Sequence, residues 1–165
     1  MTINREDLMR LRIFIALFML GALSGLYGCS ATGPRFDLTK TEAVSSKESQ
    51  LYIFRESAFI ESGTYPVVLL DGKEIGDLRN GGYITTKLTP GPHELLVQSG
   101  GILRGQWIHS PKRLSFDTEP GKRHYIQVSL RTINTVGNTM YRGVVISIVP
   151  DSEALKALSE LNLSK

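Results

Sequence analysis

The sequence predicts a mainly β protein, an antiparallel β-sandwich with one short C-terminal helix. Short runs of β-branched and aromatic residues recur at intervals of about 8 to 12 residues. Pro-Gly and Asx-Gly pairs, which are typical turn residues, separate these runs. Only after Pro150 does the spacing of apolar residues change from a strand period to a helical one.

The chain begins with the pattern of an export signal. Arg5, Arg10 and Arg12 form a basic leader, and the apolar stretch from Ile13 to Gly28 follows it. This stretch has 16 residues, whereas a permanent membrane span needs about 20. We therefore expect residues 1–28 to be a signal peptide.

The end of this signal resembles the lipobox of bacterial lipoproteins, carried here by Leu26, Tyr27, Gly28 and Cys29. The resemblance implies that Cys29 is acylated and becomes the new N-terminus, so that membrane lipid is its first partner. Cleavage elsewhere, or an uncleaved anchor with an incidental Cys29, are the alternatives. In Gram-negative lipoproteins an aspartate at the next position commonly retains the protein at the inner membrane. Ser30 therefore implies an outer-membrane protein facing the periplasm.

Size and composition limit what the exported part can be. Removing 28 of the 165 residues leaves 137, enough for one domain with its own core. That part has 16 Lys and Arg against 14 Asp and Glu, interspersed along the chain, which argues against a nucleic-acid partner. Cys29 is the only cysteine, so the chain has neither an intrachain disulfide nor a cysteine zinc site.

Residues 29–50 are predicted to be the acylated cysteine and a flexible tether. The segment is rich in Ser, Thr, Lys and Glu, and its few apolar residues show no period. About 20 flexible residues would reach about 25 Å. A merely disordered terminus is the alternative. The folded domain is expected to span residues 51–165.

The first hairpin is predicted around Asp71-Gly72, which follows the strand Val67–Leu70. A two-residue type I′ turn needs positive φ at both positions, which Asp-Gly tolerates well. Because both faces of this hairpin carry apolar residues, we expect it to lie centrally in its sheet. The expected cross-strand pairs are Leu70 with Lys73 and Val68 with Ile75.

Two Pro-Gly turns, Thr89–Pro92 and Glu119–Lys122, are each expected to reverse the chain between two strands. Gly137-Asn138 permits another reversal. The other predicted strands are Leu51–Arg55, Tyr83–Leu88, His93–Gln98, Arg113–Phe116, His124–Arg131 and Arg142–Val149.

The predicted helix covers residues 151–162, with Asp151 or Ser152 as its N-cap. Its apolar stripe is expected to close an open end or edge of the sheet, with partner docking as the alternative. The residues of this stripe are Ala154, Leu155, Leu158 and Leu161.

One segment, about Gln50 to Val97, resembles the bacterial domain-of-unknown-function 2846 family, whose members are often lipoproteins. It is also similar to the PEGA-type pattern, in which a DGK hairpin is followed by a PGxH turn. The resemblance implies a PEGA-like or immunoglobulin-like β-sandwich exported to the cell envelope, but it implies no activity. It is carried by Tyr52, Phe54, Arg55, Val67, Asp71-Gly72-Lys73, Gly76, Leu78, Asn80-Gly81-Gly82-Tyr83, Pro90-Gly91 and His93.

The sequence offers no catalytic, metal or cofactor site. His93, His109 and His124 lack the spacing of metal ligands, and no Gly-x-Ser-x-Gly motif is present. Asp71 and Glu74 are unlike a glycosidase pair, because Asp71 serves its turn and Glu74 points away. We therefore expect that the protein is not an enzyme and has no cofactor.

Two groups of residues suggest binding, each with a structural alternative. Lys112-Arg113 and Lys122-Arg123 flank a predicted hairpin and would form a small cationic patch, or else solvated strand ends. Tyr52, Trp107 and Tyr125 would stack on a ligand, or else pack in the core.

The predicted function is that of a membrane-anchored cell-envelope lipoprotein, a non-enzymatic binding or structural module. Membrane lipid, through acylated Cys29, and an envelope protein or cell-wall component would be its partners. The alternative is an inhibitor or immunity-type periplasmic lipoprotein that blocks a hydrolase or toxin through the glycine-rich segment Ser99–Gln106.

Overall fold

The structure, a computed structural model, describes residues 30–101 and 104–164, so the predicted leader and Cys29 lie outside the described residues. The strands are β1 Ser49–Arg55, β2 Val67–Leu70, β3 Lys73–Asp77, β4 Gly82–Leu88, β5 Gly91–Gln98, β6 Lys112–Thr118, β7 Arg123–Val136, β8 Thr139–Ile148 and β9 Asn162–Leu163. One helix, α1, spans Asp151–Leu158, and Leu38–Lys40 forms a 3-10 turn.

These strands form two sheets with the orders β8-β7-β1-β4-β9 and β3-β2-β5-β6. Neighbouring strands are antiparallel except in two places, since β7 runs parallel to β1 and β9 parallel to β4. The predicted mainly β sandwich with one short helix is confirmed, and the described strands do not close into a barrel.

Strand β1 lies in the middle of the five-stranded sheet and is apolar on both faces. Leu51 and Ile53 face the core between the two sheets, while Tyr52 and Phe54 face a second core outside the five-stranded sheet. The inner core also contains Val68, Leu78, Leu95, Val97, Trp107, Ile126 and Val128. The outer core also contains Phe36, Tyr83, Tyr125, Ala154, Leu158 and Leu161.

The hairpin of β2 and β3 has the predicted turn but not the predicted register or position. Asp71 and Gly72 both have positive φ, 51° and 78°, and Leu70 pairs with Lys73. The expected pair of Val68 with Ile75 is wrong, because a bulge shifts the register and Val68 pairs with Gly76. Strand β3 is also an edge strand and not a central one.

Each of the two Pro-Gly turns connects one sheet to the other, so the hairpin expected at Glu119–Lys122 is wrong. Gly91 and Gly121 do have positive φ, 129° and 74°. However, β4 and β7 belong to the five-stranded sheet, and β5 and β6 belong to the four-stranded one. Both edges of β4 are occupied, by β1 and by β9, so β5 does not pair with β4.

The segment after Cys29 is predicted to be a flexible tether, but part of it packs against the domain. Phe36 is 8% exposed, and its ring meets the rings of Tyr52 and Tyr83 edge-on at centroid distances of 5.6 Å. Its backbone N–H donates to Leu161 O at 2.9 Å. Phe36, an isolated apolar residue in the sequence, therefore attaches the segment to the outer core. We call residues 30–41 the strap.

Helix α1 is shorter than predicted and covers a face of the sheet, not an end or edge. Pro150 takes the N-cap position with no side-chain hydrogen bond, in place of Asp151 or Ser152. The helix ends at Leu158 because Leu161 N–H bonds back to Leu158 O and the chain then becomes strand β9. Among the described residues no helix is long and apolar enough to cross a membrane.

Candidate functional site: the loop end of the sandwich

Four features meet at one end of the sandwich, which we call the loop end. They are the connections 56–66, 78–81 and 99–111 and the outer part of the β7–β8 hairpin. The strand register places them together, because Arg55 pairs with Gly82, and Val67 pairs with both Asp77 and Gln98. The opposite end carries the three tight turns near Asp71, Pro90 and Pro120, and we call it the turn end.

A buried arginine supports the loop end. Arg55 is 3% exposed, and its guanidinium donates to Thr64 O at 2.6 Å and to Glu61 O at 3.0 Å. Its Cζ lies 5.3 Å from the centroid of the Trp107 ring. Burial lowers the pKa of Arg55, yet an arginine remains protonated at any physiological pH. The charged guanidinium of Arg55 therefore holds loop 56–66 against Trp107.

The two long loops form one packed unit. His109 Nε2 lies 2.6 Å from Glu61 Oε2, and the His109 ring contacts the Trp107 ring at 4.8 Å. Tyr65 N–H donates to Gly105 O at 2.9 Å. Gly105 has a φ of 70°, and a Cβ there would lie 2.2 Å from Tyr65 O. Glycine is therefore required at this contact, and the described part of 99–111 is held against loop 56–66.

The β7–β8 hairpin extends well beyond its neighbour β1. Gln127 pairs with Phe54, near the end of β1, and β7 continues to Val136. At about 3.3 Å per residue the hairpin projects by about 25 Å. It exposes large apolar side chains on its projecting part, as the two long loops also do. The exposed set at the loop end is Phe59, Ile60, Ile108, Ile133, Val136, Met140 and Tyr141.

The three histidines lie apart, and each one has a partner within the fold. His109 contacts Glu61 at the loop end, His93 contacts Asp71 at the turn end, and His124 Nε2 accepts the Glu119 N–H at 3.0 Å. Within residues 30–101 and 104–164, no group of three or more His, Cys, Asp or Glu is arranged to hold a metal ion.

His93 connects two turns as an imidazolium. Its Nδ1 lies 2.6 Å from Asp71 Oδ2 and its Nε2 lies 2.8 Å from Thr89 O. Both oxygens are acceptors, so both ring nitrogens donate. Burial opposes the charged ring, but the contacts with Asp71 and Thr89 outweigh it and raise the pKa of His93. Burial likewise opposes ionisation of Asp71, but the Glu94 N–H and His93 outweigh it and lower the pKa of that carboxyl.

Asp71 and Glu74 do not form a catalytic pair. Asp71 accepts from Glu94 N–H and His93, while Glu74 binds Arg104 at 2.7 Å. Arg104 also pairs with Asp77 at 2.7 Å. Each of these two carboxylates is therefore bound to other residues of the fold.

The cationic patch is not formed. Lys112 begins β6 at the loop end, whereas Lys122 follows β6 at the turn end and pairs with Glu119 at 2.6 Å. Arg113 contacts Glu94, and Arg123 donates to Glu42 O at 3.1 Å. The patch prediction fails because the length of β6, seven residues, separates the two basic pairs.

The three aromatic residues pack in the cores, which confirms the structural alternative. Tyr52 and Tyr125 stack in the outer core with ring centroids 5.5 Å apart. Burial raises the pKa of Tyr125 to about 12. Trp107 is 2% exposed in the inner core. None of these rings is available as a platform for a ligand.

The sequence does not predict the projecting hairpin or the buried Arg55. The apolar alternation predicts β7 only as far as Arg131, because Thr132 to Val136 alternates weakly. A signal was nevertheless present, since residues 129–142 contain two arginines and no acidic residue around Ile133, Val136 and Met140.

Comparison with known families finds one family model that matches the chain. A model of the family described as "Protein of unknown function (DUF2846)" matches residues 45–142, more than half of the chain. The chain belongs to this family. The match includes β1 to β7 and the tip of the hairpin, and so extends beyond the segment about Gln50 to Val97 that carries the resemblance. No curated protein matches the chain, and no solved structure does.

Proposed function

We propose that this member of the DUF2846 family is a lipid-anchored protein of the bacterial cell envelope, attached through acylated Cys29. The basic leader, the apolar stretch of 16 residues and the sequence Leu-Tyr-Gly-Cys support it. The observation that carries the proposal is that the folded domain includes the residue directly after Cys29. Ser30 forms a bridge with Asn80, and Ala31 N–H donates to Asn80 O at 3.0 Å.

The domain would act as a non-enzymatic binding or structural module. The side chains of His93, His109 and Arg55, which are types that enzymes use in catalysis, each hold two segments of this fold together. An exported domain with a fixed attachment point and a projecting hairpin would have a defined location at the membrane, where it could bind a partner. An envelope protein or wall component remains the proposed partner.

The alternative, an inhibitor that acts through Ser99–Gln106, has no specific observation in its favour. Gly105 is bonded to Tyr65, and Trp107 directly after the segment is buried. Crosslinking in intact cells separates the two functions. Recovery of resident envelope proteins supports the module, and recovery of a foreign hydrolase or toxin supports the inhibitor.

The anchoring is tested by Cys29→Ser in the native host, with Ser30→Ala as the matched control. Ser30 is exposed and contacts Asn80 through its backbone, so the control leaves the fold intact. We expect wild type and Ser30→Ala to float with outer-membrane vesicles in a density gradient. Cys29→Ser should keep the leader and leave that fraction. Processing and fractionation of Cys29→Ser identical to wild type would contradict the proposal.

A further inference from the structure

The chain leaves the folded domain at the loop end, which fixes where an anchor on Cys29 would attach. Ser30 is paired with Asn80, in the connection between β3 and β4. Cys29 directly precedes Ser30 in the sequence, so a lipid on Cys29 would be joined to the domain beside that connection. The loop end is thus the end of the sandwich nearest to an anchoring lipid.

The strap limits the freedom of the domain around that attachment point. Gly33 N–H donates to Leu163 O at 3.0 Å, Leu163 N–H donates to Pro34 O at 2.8 Å, and Phe36 N–H donates to Leu161 O at 2.9 Å. These bonds add the strap to the edge formed by β9 and the end of α1. With no long tether to hold it away, an acylated domain would stay close to the headgroups.

The exposed apolar side chains are concentrated at the same end. Seven of the nine large apolar residues exposed in the described part belong to the loop end, and the other two are Leu38 and Ile148. Phe59 is 96% exposed, Ile108 is 88% exposed and Met140 is 67% exposed. Such a concentration is unusual on a monomeric soluble domain and marks an interaction surface.

The charge of the projecting hairpin favours a lipid surface as its occupant. Arg131 and Arg142 lie at the base of its projecting part, and no acidic residue lies between Ser129 and Arg142. In the described part of the chain neither arginine forms an ion pair. Arginine beside Tyr141 and exposed aliphatic residues matches the headgroup region, where cations meet phosphates and aromatic rings meet acyl chains.

We propose that the loop end, with the projecting hairpin, rests on the bilayer that holds the anchor. This inference depends on the proposed acylation of Cys29. The hairpin and Ser30 lie about 14 Å apart across the five-stranded sheet, and the hairpin reaches about 20 Å farther along the strands than Ser30. The sandwich therefore leans toward β8, so that hairpin, loops and anchor meet one surface. The turn end, with Asp71 and Glu119, faces the periplasm.

The test uses the acylated protein in vesicles of phosphatidylethanolamine and phosphatidylglycerol. Cys29 is the only native cysteine, so a second one can be labelled selectively with an environment-sensitive fluorophore. We choose Phe59→Cys and Met140→Cys at the loop end and Lys47→Cys near the turn end as the matched control. All three side chains are exposed, so the fold tolerates the changes.

We expect labels at positions 59 and 140 to shift their emission to the blue and to be quenched at least twofold by brominated lipid. The label at position 47 should do neither. Vesicle-bound protein in which all three labels emit as in water overturns the inference and leaves the anchor intact. A blue shift without lipid quenching also overturns it and points to a second copy of this chain on this surface. Protein that does not float with the vesicles refutes the proposed anchoring instead.

Discussion

Phe36→Ala should release the strap from the domain. The Phe36 ring is buried between Tyr52 and Tyr83 and contacts both edge-on at 5.6 Å. It is the largest apolar side chain with which the strap enters the outer core, so its removal leaves a cavity beside two aromatic rings.

The expected loss of unfolding free energy is about 3 kcal/mol. Phe to Ala changes in protein cores cost about 3 to 5 kcal/mol, and a ring at the margin of the core belongs at the lower end. The two edge-on ring contacts, at about 0.5 to 1.5 kcal/mol each, account for a large part of that loss. Leu38→Ala is the control, since Leu38 lies in the same segment but is 43% exposed, and we expect a loss below about 1 kcal/mol.

Urea unfolding followed by the fluorescence of Trp107, the only tryptophan, measures both variants. Hydrogen exchange of the backbone amides of Gly33 and Phe36 reports separately on the strap. Equal losses for Phe36→Ala and Leu38→Ala, or unchanged exchange at these amides, would refute the assignment of the strap to the folded domain.

Three further changes test the contacts that shape the two ends. His93→Gln should lower the free energy of unfolding by about 1 to 2 kcal/mol between pH 4 and 6.5. The raised pKa of His93 gives stability that is lost as the pH rises through that pKa, and the lowered pKa of Asp71 gives stability that is lost as the pH falls through that pKa. A loss that persists unchanged at pH 9 in urea unfolding would argue against the charged contact. Arg55→Lys should lower the free energy of unfolding by about 2 to 3 kcal/mol, because one ammonium cannot reproduce the two hydrogen bonds to carbonyl oxygens and the contact with the Trp107 ring. Unchanged stability in urea would show that Arg55 does not hold its loop. Gly105→Ala should lower the melting temperature more than Gly137→Ala. Both glycines have positive φ, 70° and 58°, but of these two only position 105 would place a Cβ against a backbone oxygen. Equal shifts in melting temperature would contradict the close loop contact.

The sequence predicts the strands well where apolar residues alternate or where a turn requires glycine. Strand β2 has the predicted bounds, and the type I′ turn after it has positive φ at both positions. Strand β1, predicted over Leu51–Arg55, forms over Ser49–Arg55. These features follow from local pattern and local backbone chemistry, which the sequence contains directly.

The pairing of strands could not be predicted in the same way. A Pro-Gly turn reverses the chain whether the next strand pairs with the previous one or packs across from it, and here β4 and β6 are each followed by a strand in the other sheet. The isolated Phe36 gave no period and so looked like tether, because its partners Tyr52 and Tyr83 are distant in sequence. The loop end was missed for the same reason, since its members come from four separate parts of the chain.

Intact-mass analysis of the protein from membranes of its native host tests the central claim most directly. The account predicts a chain that begins at Cys29 and carries the mass of its acyl groups. A chain that retains Met1, or one with an unmodified Cys29 thiol, would contradict it.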